Sequence, residues 1–200
     1  MELWIATSNN GKLNEFKMLL NVAVMEKFLE IHAQSELPVF SQPPENGDSF
    51  LANARIKARA LKAVKPGTWV MGEDSGLTVN GLNGLPGIHS ARYAGPKASD
   101  PENVAKLLKM MTLRPMANRK AQFVSVIVAF DPQGVEHIYE GKLEGEIAKA
   151  QRGSTGFGYD NVFVPDGEQK TLAELGLAHK NKISHRAKAV LGLTADLMKS

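Results

Sequence analysis

The sequence contains no cysteine, which excludes a disulfide framework, thiolate catalysis and a cysteine-ligated metal, and fits a reducing compartment. It has no window approaching the roughly 18 apolar residues a membrane-spanning helix needs, and "MELWIATSNNGK" has no basic stretch followed by a long apolar run. A soluble cytoplasmic protein without membrane attachment is the expectation. Neither sign of charge dominates: the formal charge is +3, with lysines and arginines scattered along the chain. Mild attraction to anions follows, rather than a nucleic-acid-binding face. Aromatic residues make up only 6%, so a place where they gather stands out. Repeats, low-complexity tracts and proline- or serine-rich linkers are also missing. What is present is 43% hydrophobic residues in a chain of 200, enough to fill one core, and a single domain over residues 1–200 is expected.

The pattern along the chain mixes helices and strands. "LWIATS" reads as a buried strand that breaks at "NNG" and resumes as a helix with Leu13, Phe16, Leu19 and Leu20 at helical spacing. Asp48 or Ser49 caps a second helix, with Phe50, Ala54, Ala58 and Leu61 on one face. "TWVMGEDSGLTV" reads as strand, acidic turn, strand, and "NGLNGLPGIHSARYAGP" as a glycine-rich loop. Asp100 ahead of Pro101 opens a third helix. "AQFVSVIVAFDPQGVEHIYEGKLEGEIA" gives two or three strands around a "DPQG" turn. "TLAELG" is a short helix. The final helix has Ser184 at its start and Ala187, Val190, Leu191, Thr194 and Met198 on one side.

Three stretches carry chemistry. In "TSNNGK" (Thr7, Ser8, Asn9, Asn10, Gly11, Lys12) a strand ends in small polar residues just before a helix, a place where backbone N–H groups and the helix dipole favour an anion and Lys12 adds positive charge. It is not a P-loop: that spacing needs glycine at Ala6 and a hydroxyl residue at Leu13. In "GEDSGL", Glu73 and Asp74 interrupt an apolar run. Neighbours in an extended segment point to opposite faces, so one carboxylate can enter a cleft while the other finds solvent or a basic partner. A hard cation such as Mg²⁺ takes oxygen ligands from more than one segment, and Glu45 in "PPENGDS" supplies another. In "KNKISHR", the cluster of Lys180, His185 and Arg186 is disfavoured by a helix N-terminus unless it donates hydrogen bonds to a ligand. His89, His137 and His179 read as bystanders.

The aromatic concentration is "STGFGYDNVF", three rings and two glycines in ten positions. Alternating glycine with rings suits neither a plain strand nor a helix, and reads as a surface that receives something flat. Phe157 and Tyr159 are the ring candidates, and glycine at 158 lets either turn inward.

Seven segments, "TSNNGKLNEF", "ENGDSFLANARIKA", "GEDSGL", "GLPGIHSARYAG", "STGFGYDNVFVPDG", "KTLAELG" and "KNKISHRAKA", follow the order and spacing of the inosine triphosphate pyrophosphatase family, and the chain resembles that family over nearly its whole length. The resemblance implies an α/β fold in which a long, mixed, twisted β-sheet is flanked by helices, with two lobes and an active-site cleft between them. It also implies a Mg²⁺-dependent homodimer that hydrolyses ITP, dITP and XTP to the monophosphate and pyrophosphate. By position, Thr7 to Lys12 would hold the triphosphate. Asp74 would be proton acceptor and metal ligand, Glu45 the other metal ligand and Ser75 a substrate contact. Phe157, Gly158, Tyr159 and Asp160 would stack on and bracket the base, with Asp160 accepting from a ring N–H, and Lys180, His185 and Arg186 would read the base edge. Two positions depart from the pattern: Ala52 stands where many members carry an acid, and Glu73 where Asp is frequent. The other readings are a house-cleaning pyrophosphatase of modified pyrimidine nucleotides, a monophosphate phosphatase, and a nucleic-acid-binding module using Phe157 and Tyr159 for stacking, which would leave Glu45 and Asp74 without a role.

Overall fold

The computed structural model of the protein describes residues 1–23, 29–114 and 118–199. The apolar run at the start forms β1 (Glu2–Ala6), and helix α1 (Asn10–Ala23) begins inside "TSNNGK". β2 (Glu30–Ala33) follows, then α2 (Phe50–Val64), β3 (Trp69–Val79), α3 (Asp100–Thr112), β4 (Lys120–Phe130), β5 (Glu136–Ile147) and β6 (Phe163–Pro165). Helices α4 (Leu172–Leu175), α5 (Leu177–Ile183) and α6 (His185–Leu197) complete the chain. Ser49 caps α2 by accepting from the Ala52 N–H, and Ser99 with Glu102 forms a capping box on α3. The strands form one six-stranded sheet in the order β2-β1-β3-β4-β5-β6. β1 pairs in parallel with β2 and β3, while β5 and β6 run antiparallel. The sheet is therefore mixed and helices accompany it, as expected.

The chain divides into two compact units: Met1–Asp74, Ser125–Gly141 and Arg186–Ser200 form the first, and Ser75–Val124 and Lys142–His185 the second. In the first, Leu3, Ile5, Trp69 and Met71 pack with Phe16 and Leu20 of α1 and with Val190, Leu193 and Leu197 of α6. Helix α2 turns Ala54, Ala58 and Leu61 inward, and it closes on β3 at Gly72, where an added Cβ would lie 2.6 Å from the Ala58 nitrogen. Only glycine permits so close a backbone approach. In the second unit, Leu77, Val79, Val104, Leu107, Phe123, Leu143 and Phe163 share a core with Tyr159.

Two expectations from the pattern change. "GEDSGL" is no turn but the middle of an uninterrupted 11-residue strand; its acids are tolerated there because cations meet them, as described below. On α6, Ala187, Val190 and Thr194 are buried as expected and are joined by Ala189, Leu193 and Leu197, while Leu191 and Met198, expected on the same side, are exposed. The core of the first unit takes Leu193, and a helix face that contains it cannot also hold Leu191.

Candidate active site

The alternation of β3 sorts the two carboxylates. Gly72 and Asp74 share the face that α2 covers, and Glu73 lies on the other, with α1 and α6. Both are buried.

On the α2 side, Lys57 Nζ lies 3.3 Å from Asp74 Oδ1 and 3.2 Å from Glu45 Oε1. Asn53, one helical turn before Lys57, donates to Asp74 Oδ2 at 3.2 Å and accepts the Gly47 N–H at 2.8 Å, which fixes the loop carrying Glu45. Gln42 donates to the same Glu45 oxygen. Burial raises the Asp74 pKa above the ordinary carboxylate value; Lys57 and then Lys12 oppose the rise, while Glu73 and Glu45 add to it. A raised pKa brings a carboxylate nearer the range of a working base. Glu45 and Asp74, converging on one cationic position, are an all-oxygen donor pair from two segments, the donor type Mg²⁺ selects. The pair fits the donor chemistry of that ion, and Ala52, in the first turn of α2, adds no donor.

On the other side, Glu73 Oε2 pairs with Lys12 Nζ at 2.9 Å. Its Oε1 accepts from Arg186 Nε at 3.2 Å and from Ser125 Oγ at 2.9 Å. Arg186 Nη1 donates to Glu15 Oε2 at 2.8 Å. Burial alone would raise the Glu73 pKa, but Lys12, Arg186 and Lys57 outweigh it and hold the carboxyl far below its ordinary range. Burial lowers the Lys12 pKa, Glu73 opposes, and Arg186 and Lys57 reinforce the decrease. The adjacent acids thus face opposite ways, as expected, and each meets a basic partner: Glu73 has Lys12 and Arg186, Asp74 has Lys57.

At the head of α1, Asn9 Oδ1 accepts the Lys12 N–H at 3.0 Å and the Asn9 N–H donates to Thr7 Oγ1 at 3.2 Å. Asn9 is therefore the cap, and one of the amides available to an anion is met by it. Ser8, Asn9 and Asn10 are exposed, Thr7 is buried, and Gly11 and Lys12 are partly buried. Ser75, half-buried, follows Asp74 on β3 and opens the second unit.

Within the second unit, the aromatic stretch separates its rings. Tyr159 is buried in the core and its hydroxyl donates to the Ser90 carbonyl at 2.8 Å. Burial, with Tyr93 and Asp100, raises its pKa and keeps the phenol a donor. Phe157 is half-exposed, and Lys180 Nζ sits 4.5 Å from its ring centroid. Asp160 Oδ2 accepts from Lys180 Nζ at 2.7 Å and from the Phe157 N–H at 3.0 Å. Gly156, at φ +83°, leaves room for that carboxylate: a Cβ there would lie 3.0 Å from Asp160 Cγ. The buried ring of His185 stacks on Phe123 with centroids 4.8 Å apart. The first unit thus gathers Lys12, Glu45, Asp74 and Arg186, and the second Phe157, Gly158, Asp160, Lys180 and His185.

The motifs alone give no role to Lys57, Asn53, Glu15 or Ser125. Lys57 and Asn53 were legible in principle: they stand four apart beside Ala54, Ala58 and Leu61, where polar residues on a buried helix face signal partners. Glu15 and Ser125 lie in ordinary helix and strand patterns and leave no such mark.

A model of the Ham1 family matches residues 3–196. The dITP/XTP pyrophosphatase of Bdellovibrio bacteriovorus is 56% identical over 190 residues, covering 95% of this chain and 94% of that protein. The dITP/XTP pyrophosphatase of Opitutus terrae is 41% identical over 192 residues, covering 94% of this chain and 95% of its own. Among solved structures, a HAM1 protein from Coxiella burnetii superimposes with a TM-score of 0.88 at 36% identity over the whole of both chains. The Ham1 protein of Staphylococcus aureus gives 0.85 at 40% identity, over 100% of this chain and 99% of that one.

Proposed function

The chain belongs to the Ham1 family, and from that premise we propose that it is a nucleoside triphosphate pyrophosphatase. Its substrates are the non-canonical purine nucleotides ITP, dITP and XTP, which it hydrolyses to the monophosphate and pyrophosphate, removing them from the nucleotide pool. The observation that carries the reading is Asp74: a buried carboxylate of raised pKa, held between Lys57 and Asn53 and converging with Glu45. The names of the relatives, dITP/XTP pyrophosphatases, support the same substrate class.

In this reading Thr7 to Lys12 receive the triphosphate, and Lys12 exchanges part of its pairing with Glu73 for phosphate oxygens. Asp74 orients a water in line with the α-phosphorus and takes its proton as the new P–O bond forms. The bond from the α-phosphorus to the oxygen it shares with the β-phosphate breaks, and that oxygen leaves with the pyrophosphate. Glu45 and Asp74 would hold Mg²⁺, which when bound neutralises phosphate charge and polarises the α-phosphoryl group. Ser75 contacts the substrate beside Asp74. A homodimer in the cytoplasm belongs to the same proposal, as does a single functional domain over residues 1–200.

Phe157 is the ring offered to the base, since Tyr159 is consumed by the core. Asp160 acts first through Phe157 and Lys180, and second as an acceptor toward the ring edge. Lys180, His185 and Arg186 are donors. Hypoxanthine and xanthine present a keto oxygen at C6, which accepts from such donors, whereas the adenine amino group would face them donor to donor. That mismatch costs on the order of a few kcal/mol.

The test is Asp74→Asn, which keeps the shape and removes the base. Pyrophosphate release from ITP should fall by at least about a thousandfold while ITP still binds within severalfold of the parent. Turnover near the parent's rate would remove Asp74 from the mechanism.

A further inference from the structure

Phe157 has its own peptide N–H bonded to Asp160 Oδ2 at 3.0 Å. The next N–H along the chain, that of Gly158, donates to Asp100 Oδ2 at 2.7 Å. Two carboxylates from distant parts of the sequence therefore seize the two amides on either side of the Phe157 α-carbon. Asp160 lies three residues onward in the same loop, is buried, and is itself anchored by Lys180 at 2.7 Å. Asp100 comes from the first turn of α3, where a negative charge is favoured by the helix dipole. Gly158 has φ +62°, a conformation that an L side chain adopts rarely, so the peptide between 157 and 158 has a specified orientation that something must hold.

From this we infer that Asp100 is a positioning residue for purine binding: with Asp160 it clamps the Phe157 backbone so that the half-exposed ring is presented ready to stack on a flat base. The inference rests on the nucleotide reading above. Three features favour a positioning role over a merely structural one. Asp100 is exposed, so no core depends on its side chain. Helix α3 has its own cap in the box of Ser99 and Glu102, which does not use the Asp100 carboxylate. The segment it holds ends in Tyr159, already locked by its hydroxyl to Ser90, so the freedom that Asp100 removes is confined to residues about Phe157. Prior ordering of a ligand-contacting side chain improves affinity by removing the ordering cost at binding.

The experiment compares the parent with Asp100→Ala and Asp100→Asn. In Asp100→Ala, KM for ITP should rise about five- to tenfold with kcat changed less than about twofold, the signature of a lost contribution to binding alone. Competitive inhibition by inorganic tripolyphosphate, which offers no base, should be unchanged. Asp100→Asn keeps an acceptor oxygen and should recover most of the loss. Amide hydrogen exchange on the substrate-free protein should show the Gly158 N–H exchanging about tenfold faster in Asp100→Ala, with α3 still protected. An unchanged KM, a parallel loss of tripolyphosphate affinity, or no recovery in Asp100→Asn would overturn the inference. If the parent releases no pyrophosphate from ITP, the functional reading fails instead, and the exchange measurement alone decides the clamp.

Discussion

Replacing Glu73 by glutamine removes one negative charge from a site where two cations converge. The side chain is 1% exposed and meets Lys12 at 2.9 Å and Arg186 at 3.2 Å. Glutamine keeps the shape and one acceptor oxygen, but either Lys12 or Arg186 then faces an amide in place of a carboxylate. Breaking a buried ion pair from one side costs about 3–5 kcal/mol, because the remaining charge is left without compensation. Two details place Glu73→Gln at the lower end: Arg186 retains Glu15 at 2.8 Å, and the Lys12 side chain is 17% exposed and can move toward water. A loss of about 3 kcal/mol is therefore expected. For a chain of this size that lowers the thermal midpoint by about 6–12 °C. Urea unfolding gives the free energy and a thermal scan the midpoint. Glu73→Asp, which restores the charge and shortens the arm, should cost about 1 kcal/mol. A loss below about 1 kcal/mol in Glu73→Gln would refute the reasoning and leave the burial of this charge unexplained.

The same carboxylate sets an acid dependence. Its folded pKa lies far below the ordinary 4.5, so the unfolded chain binds the proton more readily, and the stabilisation is fully present above that value and lost as the pH falls below it. The gap between parent and Glu73→Gln in urea titrations should be constant above about pH 6 and narrow toward about pH 3. Lys57→Met removes the cation that most opposes the rise in the Asp74 pKa, so the acid limb of the kcat profile should move to higher pH; an unmoved limb would separate Lys57 from Asp74. Lys12→Ala should raise KM for ITP by about tenfold, and an unchanged KM would remove Lys12 from the phosphate cradle. Arg186→Lys, which preserves the charge beside Glu15 and Glu73, should narrow the ratio of kcat/KM for ITP over ATP; the same ratio would put base reading on other residues.

How much of this was legible in the sequence depended on whether one local pattern decided the outcome. Helix α2 was, because Ser49 and the spacing of Ala54, Ala58 and Leu61 state both its start and its buried face. The middle of β3 was not: Glu73 and Asp74 read as a turn because burying two acids in a strand is costly, and their compensation comes from Lys12, Lys57 and Arg186, 61, 17 and 113 residues away. The short β2 and β6, of four and three residues, carry too little alternation to stand out. Within the ring cluster the composition flagged the segment, but only the bond from Tyr159 to Ser90 decides which ring is structural. Asp100 ahead of Pro101 marks a helix start, which it is; the bond its carboxylate accepts from the Gly158 N–H spans 58 residues and has no local signature.

The central claim is cleavage between the α and β phosphates of a non-canonical purine nucleotide. A panel of ITP, XTP, dITP, GTP, ATP and a modified pyrimidine triphosphate, incubated with Mg²⁺ and assayed separately for pyrophosphate and for orthophosphate, tests it directly. The account predicts pyrophosphate from ITP, dITP and XTP, with little from ATP and no orthophosphate from any of them. Orthophosphate as the product, or equal release from ATP and ITP, would contradict it.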